Sequence, residues 1–249
     1  MYRKIMGFLE AWKESEHRKL LILQGARQVG KIYSILEFGR THYENVAYFN
    51  FETNPKLNKT FEENISPDYL IPILSHLARQ TIVKGKTLIV FDEVQLCERT
   101  LASLKYFCED ALGYHIIATG GLLGVAVNRA NFSFPVGKVD MKTLYPMDME
   151  EFMLAFGEDD LREQIKKCFQ TDTPLPSALH DAAMQLYRQY LVVGGMPECV
   201  MQFAGTKDYI LIRHTQDTIL YRQNQYPSRR RCDEADNQPH DGKNCGKTA

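Results

Sequence analysis

The sequence predicts an α/β fold, in which a doubly wound and mainly parallel sheet is followed by a smaller helical region. Two observations predict this arrangement. Short β-rich runs alternate with helical stretches along the first 145 residues, as in parallel sheets with crossover helices. From Pro146 onward the β-rich runs stop, and apolar residues recur at helical spacing. We therefore place an α/β domain at residues 1–145 and a helical region at residues 146–226.

The α/β domain opens with a helix and continues with strand-like runs. Over residues 2–12, Ile5, Phe8, Leu9 and Trp12 recur at helical spacing, which predicts a helix with one face on the sheet. The predicted strands, each bounded by polar residues or glycine, are residues 19–24, 46–51, 87–91, 115–119 and 139–144. The predicted crossover helices are residues 31–40, 69–80, 101–110 and a stretch after Gly124. These strands suffice for a doubly wound core.

The second region is predicted to be all-helical. Its predicted helices are residues 149–156, 161–169, 178–193 and 209–222. Before the last of them, Gly194-Gly195-Met196-Pro197 predicts a helix stop and turn, with glycines for positive φ and proline ending the helix. After Tyr226 the chain contains no Leu, Ile, Val, Met, Phe, Tyr or Trp. Residues 227–249 are therefore expected to be a disordered tail or the product of a frameshift.

Composition and charge exclude several function classes. Hydrophobic residues make up 44% and charged residues 24% of the chain, which excludes general disorder, a collagen-like fibre and a coiled-coil rod. The formal net charge of -1 gives no global electrostatic reason to expect nucleic acid or an anionic membrane as a partner. No apolar run approaches the roughly 20 residues that cross a bilayer, and the N-terminus lacks a secretion signal. Because the six cysteines form no CxxC pair, we expect free thiols and a cytoplasmic location.

A glycine-bearing loop after the first predicted strand carries the strongest functional signal. Strand, GxxxxGK and helix follow one another there, and the loop reads Gly25-Ala26-Arg27-Gln28-Val29-Gly30-Lys31-Ile32. Its glycines allow the backbone to curl around an anion, its amides form a nest, and the helix presents its positive end. Lys31 would reach the β and γ phosphates of a nucleotide. The sequence therefore predicts a P-loop that binds ATP, and the alternative is a glycine-bearing turn without a ligand.

This motif departs from its usual form at Ile32. A Ser or Thr hydroxyl normally binds magnesium at this position. Isoleucine keeps the β-branched shape of threonine but offers no oxygen. Ser34 is no substitute, because two residues along a helix rotate a side chain by roughly 200°. The sequence therefore predicts nucleotide binding with impaired magnesium-dependent hydrolysis.

Candidate catalytic groups follow the next two predicted strands. The apolar run at residues 88–91 ends in Asp92 and Glu93, which is the Walker B arrangement. Asp92 would hold the water shell of Mg²⁺, and Glu93 would polarise the water that attacks the γ phosphate. The alternative is an exposed acidic turn after a core strand. Thr119 ends the next strand beside the loop, and its hydroxyl would either sense the γ phosphate or cap the following turn.

Together these motifs resemble prokaryotic AAA-type ATPases that pair an N-terminal P-loop domain with a C-terminal domain of unknown function, often of nuclease-like fold. The resemblance covers residues 21–221 and rests on residues 24–31, 91–95, 120–124, 144–147 and 190–197. It implies ATP contact at Gly30 and Lys31. It further implies metal and water roles at Asp92 and Glu93, and sensing near Thr119.

Three features depart from the pattern of that family. Ile32 stands where the family has Thr or Ser, and Gly121 stands where a serine is usual. The resemblance leads us to expect a C-terminal domain after the helical region, and we do not expect residues 227–249 to form one. The first two departures affect the magnesium ligand and the sensor hydroxyl.

Two hypotheses of different classes follow. The first is an ATP-binding P-loop protein of the AAA type, an ATP hydrolase impaired by Ile32, with ATP and Mg²⁺ as cofactors. The second is a non-catalytic module that docks a protein or DNA, and DNA contacts would weaken steeply with salt. In a homo-oligomer, Arg213 and Arg222 could reach a phosphate in a neighbouring subunit, although solvated arginines on a helix face are the simpler interpretation.

Overall fold

The computed structural model describes residues 2–120 and 137–224, and its centre is a parallel sheet of five strands. The strands are β1 (Leu20–Gln24), β2 (Asn45–Asn50), β3 (Thr87–Asp92), β4 (His115–Gly120) and β5 (Val139–Thr143). Their order is β2-β3-β4-β1-β5, and each neighbouring pair runs parallel. The predicted α/β fold is confirmed, and each predicted strand end lies within one residue of the observed end.

Helices cover both faces of this sheet. They are α1 (Ile5–Glu14), α2 (Lys31–His42), α3 (Pro55–Glu63), α4 (Pro67–Ala78) and α5 (Glu98–Asp110), with a 3-10 helix at Val94–Leu96. Helix α1 begins at Ile5 rather than at residue 2. The sequence analysis missed α3, because among its 9 residues only Leu57 and Phe61 are buried, too few for a clear helical period. The helix predicted after Gly124 lies outside the described residues.

Successive side chains of β1 point to opposite helical layers. Leu21 and Leu23 belong to an apolar cluster with buried residues of α1 and α2. Leu20 and Ile22 belong to a second cluster with buried residues of α3, α4 and α5. A strand covered on both faces buries consecutive residues, and β1 is therefore a continuous apolar run rather than an alternating one.

In the described residues after β5, which end at residue 224, the chain is helical and contains one helix more than predicted. The helices are α6 (Met149–Ala155), α7 (Asp159–Gln170), α8 (Ser177–Val193), α9 (Pro197–Thr206) and α10 (Tyr209–Asn224). They share a separate apolar cluster. The prediction that Pro197 ends a helix is wrong: it stands at the start of α9, where its missing N–H costs no hydrogen bond. In the ranges that the structure describes, no helix combines the length and apolarity needed to cross a membrane. Residues 227–249 lie outside those ranges.

The turn at residues 194–197 fastens the helical region to the segment after β5. The Met147 N–H donates to the Gly195 carbonyl at 2.7 Å, and the Tyr190 hydroxyl donates to the Met147 carbonyl at 3.0 Å. A Cβ on Gly195 would lie 2.1 Å from the Met147 carbonyl oxygen. Gly194 has the predicted positive φ, at 73°. Gly195 is instead required for close backbone approach.

Candidate functional site

The glycine loop lies at the carboxyl end of β1, which stands between β4 and β5. Ligands of open α/β sheets bind in the crevice beyond the carboxyl ends of the strands. Gly25 has a φ of 151°, and a Cβ there would lie 2.3 Å from the carbonyl oxygen of Leu144. Gln28 and Gly30 have φ values of 61° and 94°. The path of the loop therefore requires glycine at its first position.

Lys31 begins α2, and its ammonium turns back over the loop. Nζ donates to the carbonyl oxygens of Gly25 at 2.9 Å and Ala26 at 2.8 Å. An ammonium has three N–H donors, so these two contacts leave a donor for a ligand. Burial lowers the pKa of Lys31, and the carboxylates of Glu93 and Asp92 oppose that shift. Lys31 thus lies within electrostatic reach of the acidic pair.

Ile32 and Ser34 occupy different surroundings on α2. Ile32 is half-buried and belongs to none of the apolar clusters of the described residues. Ser34 is buried along with Ile35 and Phe38, which pack on the sheet. The Ser34 hydroxyl has no hydrogen-bond partner among the described residues. The expectation that Ser34 does not take the place of the oxygen missing at Ile32 stays a prediction.

Asp92 is the last residue of β3, and hydrogen bonds hold both oxygens of its carboxylate. Oδ1 accepts from the Glu93 N–H at 2.9 Å. Oδ2 accepts from the Tyr48 hydroxyl at 2.7 Å and from Asn50 Nδ2 at 3.0 Å. Burial raises the pKa of Asp92, and the Tyr48 hydrogen bond opposes that shift. The three donors therefore fix the orientation of the carboxylate.

Sequence reasoning missed Tyr48 and Asn50. Both lie near the carboxyl end of β2, and the register pairs Asn50 with Asp92. Their polar side chains at alternate positions were a visible signal, but its meaning depends on β2 lying beside β3. Burial raises the pKa of Tyr48 to about 12, so its hydroxyl stays a donor at neutral pH.

Glu93 follows Asp92 in an unusual backbone conformation. Its φ of 54° is in the left-handed region, which non-glycine residues adopt rarely and mostly at turns or functional sites. Gln95, in the 3-10 helix, donates through Nε2 to Glu93 Oε2. Gln95 belongs to the motif at residues 91–95, but the sequence analysis assigned it no role. The contact restrains the carboxylate that we expected to polarise water.

Thr119 lies in β4, near the carboxyl end of that strand and so at the same end of the sheet as Asp92. The register pairs it with Leu23 on one side and Asp92 on the other. Its side chain is fully buried, and Oγ1 has no partner within residues 2–120 and 137–224. No capping hydrogen bond from Thr119 is therefore found in those ranges. Gly121, which follows the strand, lies outside them.

A polyphosphate fits this arrangement better than a metal ion alone. The loop offers backbone N–H groups, the start of α2 and the Lys31 ammonium. The side-chain oxygens near the carboxyl ends of β3 and β4 that suit Mg²⁺ include the carboxylates of Asp92 and Glu93 and Thr119 Oγ1, and Ile32 adds none. In the described part of the chain, no group of three or more His, Cys, Asp or Glu side chains could hold a metal ion. A metal here would depend on phosphate oxygens and water.

Comparison with known families identifies a match to part of the chain. A family model described as an AAA domain matches residues 17–153, which is more than half of the chain. No curated protein matches the sequence.

The solved structures that align with this chain share little sequence identity with it. C. elegans PCH-2 aligns with a TM-score of 0.45 at 11% identity, over 90% of this chain and 68% of that chain. The Thermotoga maritima RuvB Holliday junction branch migration motor aligns with a TM-score of 0.43 at 12% identity, over 81% and 59%. Aeropyrum pernix ORC2, solved in ADPNP-ADP complexes, aligns with a TM-score of 0.42 at 14% identity, over 63% and 52%. The chain thus spans less than two thirds of the length of RuvB and of ORC2.

Proposed function

The chain belongs to the AAA domain family, and from that membership we propose that it binds ATP at residues 25–32 and hydrolyses it slowly. The observation that carries the proposal is the position of Lys31, whose buried ammonium donates to the Gly25 and Ala26 carbonyls and so closes the loop. A glycine-bearing turn that binds no ligand would not require a buried lysine whose ammonium keeps one N–H donor for a ligand.

Binding depends on the loop and on Lys31. The N–H groups of residues 25–31 donate to phosphate oxygens, and the start of α2 adds its positive dipole. Lys31 keeps its contacts to Gly25 and Ala26 and directs its remaining donor to the β and γ phosphates. ATP binding therefore requires no oxygen at Ile32.

Hydrolysis depends on the acidic pair. Asp92, held by Tyr48 and Asn50, would hold a hydrated Mg²⁺ ion, and that ion would supply charge neutralisation at the phosphates. Glu93 polarises the attacking water, and the Thr119 hydroxyl senses the γ phosphate from its buried position in β4. Because Ile32 offers no oxygen, it could not supply the hydroxyl that P-loop proteins usually provide to Mg²⁺ at this position, and we expect turnover to be slow.

The test is a titration of a fluorescent ATP analogue onto the full chain. Lys31→Ala removes the ammonium, and we expect the Kd to rise at least about tenfold, the scale of a lost hydrogen bond to a charged group. Lys86→Ala is the matched control. Lys86 directly precedes β3, at the amino end of that strand and away from the loop, and it pairs with exposed Glu44 at 2.8 Å. This substitution removes the same charge and should leave the Kd unchanged. Equal affinities for wild type and Lys31→Ala would refute the proposal.

A further inference from the structure

Arg3 connects three segments of the chain that are far apart in sequence. Its side chain is almost fully buried. Nη1 donates to the Val29 carbonyl at 3.0 Å, Nη2 to the Tyr145 carbonyl at 2.8 Å, and Nε to Glu151 Oε1 at 3.1 Å. The three partners belong to the glycine loop, to the segment after β5 and to α6. One guanidinium thus ties the loop to the helical region.

The contact with Val29 fixes the orientation of a loop peptide. No cis peptide bond occurs in the described chain, so the peptide from Val29 to Gly30 is trans. The C=O and N–H of a trans peptide point in opposite directions. Since Arg3 holds the carbonyl, the Gly30 N–H points away from Arg3. A Cβ on Gly30 would lie 3.4 Å from Arg3 Nη1, so the guanidinium packs directly against the back of the loop.

Glu151 in turn fixes Arg3. Its side chain is 6% exposed, and Oε1 also accepts from the Lys4 N–H at 2.7 Å. Oε2 accepts from the Asp148 N–H at 3.3 Å, within the capping box that starts α6. The acceptor that orients Arg3 therefore keeps its place only while α6 is docked.

The geometry points to Arg3 as a positioning residue for the phosphate loop. It holds the Val29–Gly30 peptide so that the Gly30 N–H faces the phosphates, and Glu151 makes this alignment depend on α6. The affinity of the loop for a polyphosphate is thereby coupled to docking of the helical region. The inference rests on the proposed nucleotide binding and adds a residue that the loop motif does not contain.

A single substitution at Arg3 would confound positioning with stability, because it leaves Glu151 buried without its partner. Arg3→Met combined with Glu151→Gln avoids this. The pair is then neutral, and the glutamine oxygen can still accept from the Lys4 N–H, the shorter of the two backbone contacts of Glu151, while its NH2 group takes the place of the oxygen near the Asp148 N–H. A purely structural role predicts that this double variant recovers both thermal stability and nucleotide affinity. The positioning role predicts recovery of stability alone.

The experiment is calorimetric titration of ADP in EDTA, so that magnesium ligands do not enter. We expect Arg3→Met and the double variant each to bind ADP about tenfold or more weakly than wild type, the scale of a lost charged hydrogen bond. The control is Lys86→Met, which removes an exposed cation whose side chain pairs with Glu44 at 2.8 Å rather than with the loop or α6, and it should bind ADP as wild type does. If the double variant does not fold, Arg3→Lys, which keeps the charge but cannot reach all three acceptors, should show the same loss.

Two results would overturn the inference in different ways. Weak binding by Lys31→Ala together with wild-type affinity in the folded Arg3 variants would overturn the role of Arg3 and leave the proposed function standing. Absence of ADP binding by wild type would overturn both.

Discussion

The substitution Ile32→Thr tests most directly why hydrolysis should be slow. It returns one oxygen to the position after Lys31 and keeps the β-branched shape. Ile32 is half-buried and outside the apolar clusters of the described residues, so we expect a loss of unfolding free energy below about 1 kcal/mol. The change should therefore act on catalysis with little effect on the fold.

The expected gain follows from the charge that the new hydroxyl would meet. Polar contacts to charged groups contribute about 1.5–3 kcal/mol. If that contact is made to the magnesium ion in the transition state, turnover rises by about ten- to a hundredfold. Asp92 is already held by three donors and Lys31 already closes the loop, so neither needs to move for the gain to appear.

The assay is steady-state phosphate release with saturating ATP and Mg²⁺. Ile32→Val is the matched control, because it shortens the side chain without adding an oxygen. The gain should vanish in the Ile32→Thr, Glu93→Gln double variant while binding of the ATP analogue persists. Wild-type turnover equal to that of Ile32→Thr would refute the reasoning, as would an equal gain in Ile32→Val.

Two further predictions concern stability. Burial lowers the pKa of His115 to about 4; the unfolded chain takes up this proton near pH 6.5. The free energy of unfolding should therefore fall as the pH drops from 6.5 towards 4, by about 2 kcal/mol between pH 7 and pH 5 as measured by urea denaturation. If the free energy of unfolding of His115→Phe depended on pH as steeply as that of wild type, this prediction would be contradicted. Gly195→Ala should lower the free energy of unfolding by about 1–3 kcal/mol, because the new Cβ would clash with the Met147 carbonyl. The control Gly205→Ala in α9 places its Cβ in open space and should not destabilise the protein. Equal stabilities of the two variants in thermal unfolding would contradict this, because they would show that the backbone at Gly195 shifts to accommodate the Cβ.

The sequence by itself determined the features that local patterns encode. Continuous apolar runs marked the strands, because a strand covered on both faces buries consecutive residues. The spacing of Gly25, Gly30 and Lys31 marked the loop, since a sharp turn that ends in a helix leaves its own residue signature. Asp92 and Glu93 stood out because two carboxylates interrupt an apolar run. The sequence analysis did not predict helices α3 and α9. Helix α3 is short and mostly polar, and α9 begins with a proline that we interpreted as the end of a helix.

Only the tertiary structure decided which side chains surround these motifs. Tyr48 and Asn50 hold Asp92 because β2 pairs with β3, and nothing near Asp92 in sequence indicates that pairing. Arg3 reaches the loop across 26 residues and Glu151 across 148, through contacts that no local period encodes. The physical reason is that a side-chain pattern records which face of an element is buried. Which neighbour covers that face depends on strand order and helix docking, and these are settled by packing of the whole chain.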